Sequence, residues 1–466
     1  MNAKEYIQNI SKKEEIEEYH ERAYSFFEEK NKEYNFIVTF SNHAHGDLEN
    51  TSLKGLIFTV KDCFTTKNLT TTAGSKILEN YVPPFDATVV KRIKENGGFI
   101  IAKTAMDEFG FGSFSTNYFR GPVRNAIDKE YVAGGSSGGS AVATALAKFP
   151  HISIAESTGG SISNPAVFNG VFSLTPTYGL LSRYGLIDYA SSLDKPGIMA
   201  KCIDDIAMTL DILAGIDMND STTIEKPVES FEKEIKKENI KSYKIAYIEN
   251  YAELADEKIK EAFFKVIDFL GEEGFNIDKI RISYTEEALA AYYIIATSEA
   301  STNLAKFCGM RYGYEKSVDG KYYNDYFSEV RAYGFGKEAK RRILLGTFAR
   351  MSGFRDAYYL KAQKIRTLVI EEFKKYFKRY DILLAPTMPI FPIKIQDAHK
   401  LRPEEIYAMD ILTVGINLAS VPHVNIPIKS KNKFPAGLHI IADHLKEVKA
   451  LSFGRFIEKE YKGLWR

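Results

Sequence analysis

Two runs of glycine and serine constrain this chain more than any other feature: Gly134-Gly135-Ser136-Ser137-Gly138-Gly139-Ser140 and Thr158-Gly159-Gly160-Ser161. Glycine is entropically unfavourable inside helices and strands, but it lets a backbone turn tightly and bring its N–H groups close to a bound atom. Two such runs so near each other predict loops shaped around hydroxyl groups. A serine there acts as a nucleophile or proton carrier only if a base activates it. At this level phosphate binding and acyl transfer are both open.

The flanking sequence says where the loops sit. Leu53-Lys54-Gly55-Leu56-Ile57-Phe58-Thr59-Val60-Lys61-Asp62 is short, apolar and β-branched, which predicts a buried strand ending at Lys61. Ala87–Asn96 predicts a helix and Phe99–Ala102 the next strand. Ser140–Ala147 predicts an apolar helix of small residues, and Ile152–Ala155 a central strand running into the second cluster. This strand–helix–strand rhythm predicts a layered α/β fold with parallel strands.

Residues 1–50 predict an N-terminal helical segment, with Ile7, Ile10, Ile16, Tyr19 and Phe26 marking helix faces; residues 51–466 form the main domain. Within it, 217–240 is polar and predicts a loop or hinge, and 285–375 predicts a largely helical insertion contributing to the substrate site. Further strands are expected at Lys244–Ile248, Ile280–Tyr284, Tyr380–Pro386, Val421–Ile428 and Gly437–Ala442, with a helix over Glu257–Leu270.

Several function classes drop out. A net charge of +1 gives no broad electrostatic basis for binding nucleic acid or acidic membranes. Three scattered cysteines, Cys63, Cys202 and Cys308, make neither a disulfide framework nor a zinc site, and no metal is expected. No apolar run is long enough for a membrane-spanning helix. The phosphate-loop pattern fails because no lysine follows Gly138 or Gly139.

The candidate base is not a histidine. His20, His43, His45, His151, His399, His423, His439 and His444 all lie outside any recognisable nucleophile context. His151 and His423, among apolar or small neighbours, are expected to be structural. Lys61 remains. Burial at a strand end disfavours an ammonium and makes a neutral lysine base accessible.

With these residues in view, the run from Gly55 to Gly215 resembles the amidase signature family. The resemblance implies a large mixed, mostly parallel β-sheet covered by helices on both faces. It implies Lys61 as base, Ser136 as a bridging serine after a cis peptide, and Ser161 as nucleophile. The N–H groups of Thr158, Gly159 and Gly160 would form the oxyanion hole. The spacing between the clusters leaves Ser137 open as the bridging serine.

Further motifs narrow the resemblance to the A subunits of glutamyl-tRNA(Gln) amidotransferases, over about residues 53–442. They include Met106-Asp107-Glu108-Phe109, Ser182-Arg183-Tyr184-Gly185-Leu186 and Lys340-Arg341-Arg342-Ile343. This implies a glutaminase that feeds ammonia to a B subunit, which uses ATP and Mg to amidate glutamate on tRNA(Gln). A small third subunit, C-type or a replacement, is also implied, with no cofactor in this chain. Arg342, or else Arg341, would bind the glutamine carboxylate, and Asp410 its ammonium. The other function classes are a stand-alone amidase and a catalytically silent assembly subunit. A short N-terminus and Lys195–Cys202 resemble mitochondrial versions, so the expected compartment is the mitochondrial matrix, with a prokaryotic cytoplasm as alternative.

Two departures flank the nucleophile. Ser157 and Ser163 stand where the family usually has aspartate and arginine, which suggests that those two pair and were replaced together. Glu156 is a candidate for a displaced acid.

Overall fold

The computed structural model describes residues 2–465 apart from 11, 42–47, 49, 318 and 319. Among them, eleven strands build one sheet. In chain order they are β1 (Ile37–Phe40), β2 (Ile57–Lys61), β3 (Phe99–Thr104), β4 (His151–Ser157), β5 (Phe172–Thr175), β6 (Lys195–Ala200), β7 (Ile245–Ile248), β8 (Ile277–Ile280), β9 (Ile382–Pro386), β10 (His423–Ile428) and β11 (Ala436–Ile441). Their order across the sheet is β1-β3-β2-β4-β6-β5-β10-β11-β9-β7-β8.

The sheet is mixed, as expected, but parallel pairing does not dominate. Four neighbouring pairs are parallel, β3–β2–β4 and β9–β7–β8; the other six are antiparallel. A parallel pair needs a long crossover, usually a helix. Thr88–Glu95, Gly138–Leu146 and Glu257–Glu272 supply those crossovers on the two flanks. The middle strands pair antiparallel, which needs no such crossover. β5 and β6 both escaped the sequence reading, and Pro196 with Gly197 inside β6 reads as a strand breaker. Gly197 is required there, because a Cβ would lie 2.4 Å from the Leu174 carbonyl oxygen on β5.

The strand expected at Ile280–Tyr284 ends at Ile280. Beyond it the Asn250 side chain takes over the ladder, donating to the Ile282 carbonyl and accepting the Ile282 N–H, each at 3.0 Å. The N-terminal segment is helical over Ala3–Asn9 and Lys13–Tyr34, then adds β1 to the sheet edge. Residues 217–240 hold turns and one short helix, Phe231–Glu234. The 285–375 region is helical over Thr285–Asn303, Tyr323–Gly334, Lys337–Arg350 and Lys361–Phe377.

Two apolar cores flank the sheet. Tyr19, Phe27, Val89, Ile206 and Phe453 belong to one, and Ile295, Val330, Val369 and Phe373 to the other. β2, β4, β6, β10 and β11 are buried at every residue, so polar groups at their ends are held in a dry, fixed frame.

Candidate active site

β2 delivers Lys61 to the sheet's upper edge with its side chain fully buried. Its Nζ donates to Ser136 Oγ at 2.8 Å, to the Glu156 carbonyl at 3.0 Å and to Glu156 Oε2 at 2.8 Å. An ammonium has three N–H donors, and all three are engaged. The peptide between Gly135 and Ser136 is cis. Ser137 turns away, its Oγ donating to the Glu156 carbonyl at 3.0 Å. Of the two adjacent serines, Ser136 is therefore the one on Lys61. Gly135 has no room for a side chain, since a Cβ would meet Asp107 Oδ2 at 2.2 Å. Asp107 accepts the Ser115 and Asn117 N–H groups, and burial pushes its carboxyl up to about 6.

Ser161 stands in the turn between β4 and the helix Ser163–Phe168, 8% exposed, whereas Lys61 and Ser136 are sealed. Its carbonyl accepts the Ser137 N–H at 3.2 Å, which ties the two glycine runs together. Among the described residues, no protein acceptor takes the N–H of Thr158, Gly159 or Gly160. Unpaired N–H groups in a turn beside a hydroxyl are what an oxyanion needs. The turn is packed tightly: a Cβ on Gly159 would lie 2.7 Å from the Tyr292 ring, and one on Gly160 2.5 Å from Thr413 Oγ1. Asn417 Nδ2 donates to the Gly159 carbonyl.

Behind Lys61 lies a second acid. The Thr158 hydroxyl bridges Glu156 Oε1 at 2.9 Å and Asp194 Oδ1 at 2.8 Å. One hydroxyl carries one proton, so it can donate to only one of these two carboxyl groups. Asp194 is fully buried and raised well above the carboxylate range, first by burial and then by the Glu156 charge. Its two oxygens also accept the Tyr189 and Ala190 N–H groups at 2.9–3.0 Å, bonds that oppose the shift, and Thr158 links it to Glu156. The sequence identified Glu156 only as a possible displaced acid and missed Asp194, since β6 was not recognised as a strand.

The groups expected at the substrate end also come together. Arg342, on the helix Lys337–Arg350, is buried and donates from Nε to Glu338 Oε1 at 2.8 Å and from Nη1 to the Tyr189 hydroxyl at 2.6 Å. The rings of Phe111, Tyr189, Tyr293 and Tyr407 surround its guanidinium at 5.1–5.6 Å. Arg341 points outward, 31% exposed, and pairs with Glu338. Asp410 accepts from Tyr293 at 2.6 Å and from Ser113 at 3.1 Å; burial raises its carboxyl, and these bonds oppose the shift. Asn164 joins this end to the nucleophile turn, its Nδ2 donating to the Ser113 carbonyl at 2.7 Å. A cavity of about 220 Å³ is lined by Ser113, Glu338, Arg341, Arg342 and Tyr407, but not by Ser161. A larger cavity of about 570 Å³, beside Trp465, touches none of these groups.

The two unusual serines part company. Ser163 Oγ accepts from Asn425 Nδ2 at 2.9 Å, while Ser157, in register with Lys195, is buried with no hydrogen-bond partner for its Oγ among the described residues. His151 sits among Phe27, Phe149 and Thr59, and burial holds it down at about 3. His423 is likewise buried and depressed. Both are structural. His43 and His45 lie outside the described residues. Among those described, no cluster of His, Cys, Asp or Glu suits a metal ion, and no helix is long and apolar enough to cross a membrane.

Known proteins resemble this chain over nearly its whole length. The amidase family model matches residues 11–451. The A subunit of the Sulfolobus acidocaldarius glutamyl-tRNA(Gln) amidotransferase is 42% identical over 449 residues, covering 96% of this chain and 93% of that protein. Its Halothermothrix orenii counterpart is 40% identical, covering 97% and 96%. The crystal structure of the Thermotoga maritima counterpart superposes with a TM-score of 0.85 at 32% identity, covering 100% of this chain and 97% of that one. This chain belongs to the amidase family.

Proposed function

We propose that this chain is the glutaminase subunit of a glutamyl-tRNA(Gln) amidotransferase, releasing ammonia from glutamine for a partner that amidates glutamate on tRNA(Gln). The observation that carries the reading is the 2.8 Å bond from buried Lys61 to Ser136, held beside a serine with free N–H donors around it. The substrate assignment rests on the relatives, which are named as A subunits of that amidotransferase. In this reading Ser161 Oγ attacks the side-chain amide carbon of glutamine, and its proton passes through Ser136 to Lys61. The tetrahedral oxyanion is met by the N–H groups of Thr158, Gly159 and Gly160, each worth roughly 3 kcal/mol. The C–N bond then breaks, the proton returns to the departing ammonia, and water hydrolyses the acyl-Ser161 ester to glutamate. Arg342 takes the glutamine α-carboxylate and Asp410 its α-ammonium.

ATP and magnesium belong to the partner B subunit in this reading, as does most contact with tRNA(Gln); a small third subunit completes the assembly. The outer side of the Arg342 helix exposes Leu344, Leu345 and Phe348, with Met351 just beyond its end, an apolar face suited to a protein partner. The archaeal and bacterial sources of the relatives favour a prokaryotic cytoplasm over the mitochondrial matrix.

Ser161→Ala in the assembled complex tests the reading. Glutamine-dependent amidation of tRNA should be lost while ammonium-dependent amidation persists. Survival of the glutamine-dependent reaction refutes the role of Ser161. Release of ammonia from glutamine by the wild type, with no amidated tRNA formed, favours a stand-alone amidase.

A further inference from the structure

The hydrogen bonds around Lys61 pose a problem that the triad alone does not solve. As an ammonium, Lys61 spends its three N–H groups on Ser136 Oγ, the Glu156 carbonyl and Glu156 Oε2. It then has no lone pair to receive a proton from Ser136. It must first lose one. Of its three partners, only Glu156 Oε2 is an ionisable acceptor, and it lies 2.8 Å away with its side chain 4% exposed.

We propose that Glu156 is the terminal proton acceptor of this site. Lys61 passes one proton to Glu156 Oε2 and turns about its Cε–Nζ bond so that its lone pair faces Ser136. Ser136 then hands Lys61 its hydroxyl proton as it takes the proton of Ser161, whose Oγ bonds to the amide carbon. At the tetrahedral stage Lys61 is an ammonium, Glu156 a neutral acid, and the negative charge rests on the oxyanion. Return of the proton through Ser136 to the leaving nitrogen, and of the Glu156 proton to Lys61, restores the starting pair. No outside oxidant, reductant or base is needed. Glu156 touches no substrate atom and acts through Lys61, so it is a positioning and relay residue.

The surroundings suit this exchange. The Thr158 hydroxyl lies 2.9 Å from Glu156 Oε1 and so holds the Glu156 carboxylate with its other oxygen, Oε2, on Lys61, while burial raises the carboxyl of Asp194 on the far side of Thr158. The other charged or titratable groups near the pair are Cys63, raised by burial, and Asp107 on the far side of the Gly135–Ser136 turn; the Lys103–Asp62 pair, 3.5 Å apart, lies farther along the sheet edge.

The inference rests on the proposed glutaminase reading, and the test separates the two. Glutamine hydrolysis by the assembled complex is followed against pH for wild type, Glu156→Gln and Glu156→Asp, with melting curves to verify folding. If the wild type releases no ammonia from glutamine, the proposed function fails. If it does, the relay predicts that Glu156→Gln moves the acid limb of kcat upward by about one pH unit or more, because Lys61 must now lose its proton to solvent before it can act. KM should stay unchanged. A limb that does not move, or that moves down because Glu156 had only been holding Lys61 as an ammonium, overturns the inference. Asp107 is present in every variant, so any limb it contributes stays fixed. Should Glu156→Gln fail to fold, Glu156→Asp decides. Its carboxylate is withdrawn by one methylene, so kcat should fall about tenfold or more at unchanged KM; an unchanged kcat overturns the inference.

Discussion

Arg342 offers the sharpest test of the substrate end, because its neighbour is a built-in control. Arg342→Met removes two charge-assisted bonds, to Glu338 at 2.8 Å and Tyr189 at 2.6 Å. It also leaves Glu338, 11% exposed, with a deficit of positive charge. Breaking a buried pair costs about 3–5 kcal/mol. Glu338 keeps Arg341 and the Tyr407 hydroxyl, so the low end, about 3 kcal/mol, is expected. If the same guanidinium binds the glutamine carboxylate, loss of about 3 kcal/mol of binding raises KM roughly 100-fold. Arg342→Lys restores the charge but not the fork, and should recover part of both losses. Arg341→Ala breaks a half-exposed pair worth about 0.2–1 kcal/mol and should leave KM nearly unchanged. Urea unfolding reads the stability, and glutamine titration of ammonia release by the complex reads KM. Ammonium-dependent amidation should be normal in all three variants. A normal KM in Arg342→Met with a raised one in Arg341→Ala would refute the assignment.

Gly159→Ala should collapse glutamine hydrolysis by about 100-fold or more, because its Cβ would sit 2.7 Å from Tyr292 and push the turn off the oxyanion; near-normal turnover would show that the turn has slack. Lys195 is pushed down to about 7, chiefly by burial, with Glu447 opposing. Its folded value lies below the ordinary lysine value of about 10.4, so the unfolded chain binds the extra proton between these limits. Stability from this group is complete above that window and is lost as pH falls to about 7. Lys195→Met should flatten the rise in urea midpoint between neutral and alkaline pH; an undiminished rise would point to another group.

The parts of this molecule that were legible in its sequence are those whose cause is local. Lys61 ends an apolar run, Ser136 and Ser161 lie in glycine-rich turns, and a short stretch of sequence is enough to see each. The crossover helices betray the parallel flanks for the same reason. Asp194 and β6 were hidden because Lys195-Pro196-Gly197 breaks strand propensity, and only β4 and β5 on either side make that segment a strand. The choice between Ser136 and Ser137 needed the direction of one hydroxyl, which spacing does not carry. The end of β8 was misplaced because an asparagine side chain, contributed from far away, imitates a strand.

The antiparallel turn of the sheet at β6 has a chemical consequence. β4 leaves the sheet at Ser157, opposite Lys195, where β6 enters it. Asp194 therefore arrives at the same edge as Glu156 and Thr158. Had β6 run parallel to β4, its first residue would lie at the opposite edge, roughly 17 Å away for a six-residue strand. The Asp194 carboxyl would then be out of reach of the Thr158 hydroxyl. Strand direction, a property of the whole chain's path, thus decides which acids stand behind the lysine.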